Sequence, residues 1–261
     1  MKEIFFLAGL PRSGSTLLGA ILSQNPDVYV SPTSPLMDIL IRLEMTCREL
    51  HRDLTFDLET QTFNVGSAVA RAFYQHIQRP YVLDKYRGWP PNVQLAKRYV
   101  NPAPKILCPV RPIAEVITSY LKLIHRDPNN KLDKFLIRDQ VQVNDRNRAL
   151  LIWKRFLTPP YQGLLKGIKE HRECLHFLTY DDLVNRPDEV LEGIYRFLEI
   201  PAHAGHAYTQ IVNSCAEDKD EALGLKDLHT IRPALTRTSD SPLEVLGPEL
   251  TAHFSQFDLK L

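Results

Sequence analysis

The feature that most limits what this chain can become is the passage from an apolar run at its start into Gly9-Leu10-Pro11-Arg12-Ser13-Gly14-Ser15-Thr16, and from there into a helical pattern. A turn between strand and helix gathers consecutive backbone N–H groups and a helix N-terminus at one point, which makes an anion cradle. Gly9 and Gly14 keep the five-residue step of the nucleotide-binding loop G-x-x-x-x-G-K-[ST], yet Ser15 stands in the lysine position and the cation comes earlier, at Arg12. Without that lysine the β- and γ-phosphates of ATP or GTP lose their usual ligand, which argues against ordinary nucleotide hydrolysis. An arginine at the apex forks instead onto a smaller group that joins a phosphate to a second anion. A plain strand-to-helix turn capped by serine and threonine is the simpler reading of the same residues.

The rest of the chain gives the loop its setting. Short apolar runs at 3–8, 28–30, 81–83, 105–110 and 175–179 read as buried strands. Helical patterns at 15–23, 35–50, 65–78, 93–99 and 113–125 alternate with them, and 144–157 and 187–198 add two more. Within 113–125, Ile113, Val116, Ile117, Tyr120 and Ile124 recur at three- and four-residue steps and form one core-facing stripe. Alternating strand and helix predicts an α/β fold, a P-loop-type parallel sheet flanked by helices, as a single domain over 1–261. The stretch 217–248, rich in charge, Thr, Ser and Pro, reads as a loop or lid.

Charge removes some partners. With 32 basic and 31 acidic residues the net charge is +1, so no global field draws the chain to nucleic acid or to a membrane surface. The apolar runs fall short of the ~18 residues a membrane helix needs. The run at the start lacks the flanking charge and small-residue cleavage site of a signal peptide, so a cytoplasmic protein is expected. Cys47, Cys108, Cys174 and Cys215 contain no C-x-x-C pair, and they predict free thiols, with neither a metal site nor a disulfide framework.

A second anion site is suggested by Arg111, at the end of a strand, and Ser119, eight residues on along the next helix. Eight residues at ~100° each leave the two ~80° apart, both off the core stripe. Leu83-Asp84-Lys85 closes another strand at the edge where open parallel sheets bind ligands, although a lysine there also suits plain pairing with Asp84.

Leu10-Pro11-Arg12-Ser13-Gly14-Ser15-Thr16-Leu17-Leu18 resembles the 5′-phosphosulfate loop of sulfotransferases that use 3′-phosphoadenosine 5′-phosphosulfate (PAPS), in the arginine version of tyrosylprotein sulfotransferases and many bacterial relatives. Cytosolic sulfotransferases resemble it less, with lysine at the position of Arg12 and an adenine-stacking tryptophan at that of Leu17. Arg111 and Ser119 resemble the family's 3′-phosphate pair R-x₇-S, with Pro112 directly after the arginine. Lys85 resembles a lysine that contacts the transferred sulfuryl group. The stretches 178–184 and 197–201 are similar to the family's Y-E-D-L…P…F-L-G-I-P stretch, for which a structural role is expected, so the resemblance spans about residues 3–200. A weaker echo lies at Leu228-His229-Thr230-Ile231-Arg232, where relatives bring a loop over the nucleotide.

The resemblance implies sulfuryl transfer from PAPS to a hydroxyl or amine of a small-molecule or peptidyl acceptor, without a metal. Pro11, Arg12, Ser13, Gly14, Ser15, Thr16, Arg111 and Ser119 would hold the donor, and Arg12 and Lys85 would stabilise the charge that grows on its leaving oxygen. Tyrosylprotein sulfotransferases place a glutamate after the second strand, where this chain has Thr33, which cannot act as a base. His229 is the expected substitute, since histidine as a residue type titrates near neutrality; Asp38 and Glu44 are the acidic alternatives. A nucleotide kinase and a non-catalytic nucleotide-binding module are the competing classes. Acceptor identity and oligomeric state stay open at this level.

Overall fold

The computed structural model describes residues 2–50, 57–212, 225, 229–236 and 240–260. Its centre is a parallel sheet of five strands: β1 (Glu3–Leu7), β2 (Val28–Thr33), β3 (Tyr81–Lys85), β4 (Ile106–Val110) and β5 (Leu175–Thr179), in the order β2-β3-β1-β4-β5. β1 lies in the middle, with Leu7 beside Lys85 of β3 and beside Leu107 of β4. All strands run the same way, so the loops that leave β1, β3 and β4 emerge on one edge.

Strand alternation divides the apolar residues between two cores. Ile4 and Phe6 face one layer with Trp89 and the stripe of α5 (Ile113–Arg126), while Phe5 and Leu7 face the other with α1 (Ser15–Leu22) and the helix Pro187–Leu198. Ile113, Val116, Ile117, Tyr120 and Ile124 are all buried, as their spacing predicts. On β3 the same alternation sends Asp84 to the layer of Phe6 and Trp89, and Lys85 to the layer of α1.

Several elements depart from the sequence expectation. β2 and β3 each run further, to Thr33 and Lys85, so Lys85 is the last residue of its strand. α2 (Leu36–Leu50) follows β2 as expected, but α3 begins at Leu58 and not at 65, because the Asp57 side chain caps it by accepting from the Thr60 N–H. After β3 come α4 (Val93–Tyr99) and, beyond α5, an unexpected helix α6 (Lys131–Arg138), capped by Asn130. The single helix expected over 144–157 is α7 (Asp145–Ile152) and a π-helical turn (Trp153–Leu157) that runs on into α8 (Thr158–His171). Pro159 and Pro160 sit in the first turn of α8, directly after the π-helical turn. Following β5 are α9 (Tyr180–Asn185) and α10 (Pro187–Leu198).

The stretch 217–248 is not loop throughout, since α11 (Pro242–Ser255) starts inside it and is interrupted at Gly247. Within that stretch 229–236 is held by an antiparallel bridge of Ala234 with Thr209 and by the Leu235 N–H donating to the Tyr208 carbonyl. Of that stretch, residues 217–224, 226–228 and 237–239 lie outside the described residues, as does Cys215; Cys47, Cys108 and Cys174 are free thiols.

Candidate active site

The loop between β1 and α1 is fixed by close backbone approach. Gly9 has φ +139°, and a Cβ there would lie 2.6 Å from the Pro109 carbonyl oxygen on β4. Gly14 has φ +96°, and its Cβ would meet Tyr180 at 2.8 Å. Both positions therefore need glycine for conformation and for space. Between them Arg12 occupies the left-handed region at φ 60°, a strained setting for a side-chain-bearing residue and one met at functional loops. Gly14 is the N-cap of α1 and supplies no side-chain cap, so the serine- or threonine-capped turn is not what forms here. Ser13 turns inward: its hydroxyl and its N–H both donate to the Leu10 carbonyl, at 2.6 and 3.3 Å. It shapes the loop and does not line the cleft.

Cations gather around this turn. Arg12 Nε donates to Ser119 Oγ at 3.2 Å, which joins the loop to α5. Lys85, on β3 and almost wholly buried, reaches across the sheet edge to Thr16 Oγ1 at 3.2 Å. The pairing of Lys85 with Asp84 that their adjacency allows is replaced by a different arrangement. Asp84 accepts from Ser34 Oγ at 2.5 Å, Tyr74 OH at 2.7 Å and Trp89 Nε1 at 2.7 Å. Burial pushes the Asp84 carboxyl above the usual carboxylate range, and these hydrogen bonds oppose the rise.

Arg111 is held from three sides. Its Nε donates to Glu115 Oε2 at 3.0 Å, one Nη donates to the Arg12 carbonyl at 3.4 Å, and its guanidinium lies 4.5 Å from the centre of the Tyr180 ring. Tyr180 thus packs on both Gly14 and Arg111, and ties the start of α9 to the loop. Neither Tyr180 nor Glu115 was singled out from sequence for this place. The four-residue step from Arg111 to Glu115 is the one local signal that points to their pairing.

These groups open onto one cleft of about 310 Å³ at the edge where β1, β3 and β4 end. Pro11, Arg12, Gly14, Ser15 and Thr16 line it from the loop, Lys85 from β3, and Arg111 and Ser119 from β4 and α5. His229, with Thr230 to Arg232, borders it from the C-terminal segment. Tyr120 belongs to the core stripe and also reaches this cleft. Burial raises its phenol, and the charges of Arg87 and Arg12 oppose that. The acidic alternatives are elsewhere: Asp38 accepts from Tyr86 OH and Glu44 from Tyr99 OH beside Arg98, while Thr33 is exposed at the end of β2. Among the described residues no group of three or more His, Cys, Asp or Glu side chains is arranged to hold a metal.

A parallel sheet with a glycine-bounded loop before its first helix, and a cationic cleft at the ends of the central strands, defines a P-loop-type α/β protein whose loop has serine at the usual lysine position and its cation earlier, at Arg12. The chain belongs to the sulfotransferase family, whose profile matches residues 5–204. It is 26% identical over 204 residues to Protein-tyrosine sulfotransferase 1 of Danio rerio, an alignment covering 76% of this chain and 53% of that protein. The chain therefore spans about half the length of the curated relative it matches. The Sulfotransferase Domain from the Curacin Biosynthetic Pathway superposes with a TM-score of 0.52 at 18% identity, covering 100% of this chain and 93% of that one. The Sulfotransferase Domain from the Synechococcus PCC 7002 Olefin Synthase gives 0.51 at 20%, covering 98% and 94%. At such identities the likeness is one of fold. No described helix is long and apolar enough to cross a membrane.

Proposed function

We propose that this chain, as a single domain over 1–261 acting in the cytoplasm, transfers a sulfuryl group from PAPS to a hydroxyl or amine of a small-molecule or peptidyl acceptor, without a metal. The observation that carries this reading is the meeting of Arg12, Thr16, Lys85, Arg111 and Ser119 in one cleft at the open end of a P-loop-type turn. The turn fits a phosphosulfate: its glycines let the backbone close against Pro109 and Tyr180, and the lysine that would select a triphosphate is absent from position 15.

PAPS supplies an activated sulfuryl group whose leaving 5′-phosphate oxygen gains negative charge as the S–O bond breaks. Arg12 and Lys85, with the backbone N–H groups at the start of α1, hold positive charge against that oxygen in a largely buried setting. Arg111 and Ser119 take the 3′-phosphate, with Tyr180 and Glu115 fixing the guanidinium in place. His229 takes the proton the acceptor gives up as its oxygen or nitrogen bonds to sulfur.

Thermal unfolding in EDTA tests the reading. 3′,5′-ADP, the product nucleotide, is expected to raise the melting temperature without metal, while Mg-ATP has little effect. Stabilisation by Mg-ATP and not by 3′,5′-ADP would return the chain to the kinase class. Labelled PAPS with a panel of phenols, alcohols, amines and tyrosyl peptides then separates an enzyme from a binding module.

A further inference from the structure

The C-terminal segment is fastened to α5, the helix that carries Ser119. α11 packs its buried Leu246, Leu250 and Phe254 into the layer of the α5 stripe, and polar contacts tie it down on either side. Before α11, Asp240 pairs with Lys122 at 2.8 Å; after it, Asp258 accepts from the Ile113 N–H at 2.7 Å. Asp258 lies beyond the stretch 5–204 that the sulfotransferase profile matches, and no step of the proposed reaction uses it.

The bond to Ile113 falls at a point where α5 cannot cap itself. Arg111 directly follows β4, Pro112 is the N-cap and Ile113 opens the helix, so a single residue separates the arginine from the first turn. Proline has no side-chain oxygen to offer, and the first N–H groups of a helix have no partner within it. Asp258, 145 residues away along the chain, supplies the acceptor. Glu115 is the acidic residue of the same turn, and it is paired with Arg111 at 3.0 Å. Burial raises the Asp258 carboxyl, the Ile113 N–H opposes that rise and the Glu115 charge adds to it, so the two carboxyl groups sense each other at the start of the helix.

Resting on the assignment of the 3′-phosphate to Arg111, we propose that Asp258 is a positioning residue for that site: by satisfying the Ile113 N–H it keeps Glu115 on Arg111, and so holds the guanidinium for the 3′-phosphate. A glutamate at the third helical position reaches back toward the N-cap N–H. Pro112 has none, so without Asp258 the donor that Glu115 meets is that of Ile113, and the positive end of the helix draws the carboxylate the same way. Turning to that donor takes Glu115 off Arg111.

Calorimetry of 3′,5′-ADP and of 5′-AMP into the full chain tests this. Asp258→Ala is expected to cut the preference for 3′,5′-ADP by about 5-fold, with 5′-AMP bound within about 2-fold of the native chain. Asp258→Asn keeps an acceptor oxygen for the Ile113 N–H and should restore most of the preference. In a Glu115→Gln background Asp258→Ala should add little, because the group it acts through has already been altered. Phe254→Leu loosens α11 without removing the acceptor of the Ile113 N–H, so it should lower the melting temperature and leave the preference unchanged. A preference left intact in Asp258→Ala overturns the proposal, as do an asparagine variant as poor as alanine, full additivity with Glu115→Gln, or an equal loss in Phe254→Leu. If alanine does not fold, Asp258→Ser, whose oxygen falls one bond short of the Ile113 N–H, is read in its place. A native chain with no preference for 3′,5′-ADP defeats the donor reading itself, whereas a native preference untouched in Asp258→Ala defeats this inference alone.

Discussion

Replacing Asp84 by alanine and by asparagine separates what its carboxylate holds together from what its charge costs. The residue is fully buried and accepts from Ser34, Tyr74 and Trp89, which belong to the β2–α2 turn, the end of α3 and the segment after β3. Alanine would leave the Ser34 hydroxyl and the Trp89 N–H without an acceptor, at about 1–3 kcal/mol each, and the Tyr74 hydroxyl with Ser34 Oγ, at 3.2 Å. A total of roughly 2–6 kcal/mol is of the same order as the stability of a whole domain, so this variant is expected to be barely folded. Asparagine keeps the volume and one carbonyl oxygen for the Trp89 N–H, and the Ser34 and Tyr74 hydroxyls can turn to accept from its NH₂, which limits the loss to about 1 kcal/mol. The pH dependence follows from the raised Asp84 carboxyl. Between its ordinary value and its raised value the folded protein binds more protons than the unfolded chain, so the stability this group contributes is full at acid pH and is lost as pH rises through the folded value. Asparagine does not titrate. In urea unfolding from about pH 4 to about pH 8, the stability advantage of the native chain over Asp84→Asn should therefore shrink as pH rises. A gap that stays constant, or widens, would refute the reasoning.

Arg12→Ala and Lys85→Ala are expected to lower kcat by about 10²–10³ while 3′,5′-ADP affinity, measured by calorimetry, changes far less; equal losses in both would count against charge stabilisation at the leaving oxygen. Arg111→Ala should cut the preference for 3′,5′-ADP over 5′-AMP by about 10-fold or more, and unchanged discrimination would remove it from the 3′-phosphate. Gly14→Ala puts a Cβ 2.8 Å from Tyr180 at a φ of +96°, and should cost about 1–3 kcal/mol and weaken 3′,5′-ADP through Arg111. Gly193→Ala, in α10 with its nearest neighbour at 3.8 Å, should instead gain about 0.5–1 kcal/mol in thermal unfolding. With an aliphatic alcohol as acceptor, His229→Ala should remove the acid limb of the pH–rate profile; an unchanged profile makes the histidine a wall of the cleft only.

The parts of this architecture that were legible in the sequence are those written within a few residues. The β1 loop announces itself because its glycines stand where the backbone alone must make the turn, and the α5 stripe because one helix face is apolar. Arg111 and Ser119 line one cleft, but Arg111 lies before α5 begins, so helical periodicity accounts for Ser119 and the end of β4 for Arg111. What tertiary contact decides was not legible. Tyr180 reaches Gly14 and Arg111 only because β5 lies beside β4, and the helix whose pattern ends at 157 continues into α8. Tyr120 shows a subtler limit. Period identifies the face of a helix on which a residue stands, but not how far a long side chain reaches along it, so a core tyrosine also borders the cleft.

Asp84 and Lys85 carry the same lesson furthest. As neighbours of opposite charge they suggest an ion pair, which would neutralise the lysine and leave it a strand-end ornament. A strand of period two sends them to opposite faces, however, and each face has its own chemistry. The carboxyl group is enclosed by three hydrogen-bond donors of one apolar layer, while the ammonium emerges over α1 beside Thr16 and at the mouth of the loop between β1 and α1. The lysine therefore meets the loop after β1 because the sheet, and not the sequence neighbour, chooses its partners, and Ser34 and Trp89 bonded to Asp84 hold the strand end from which it is presented.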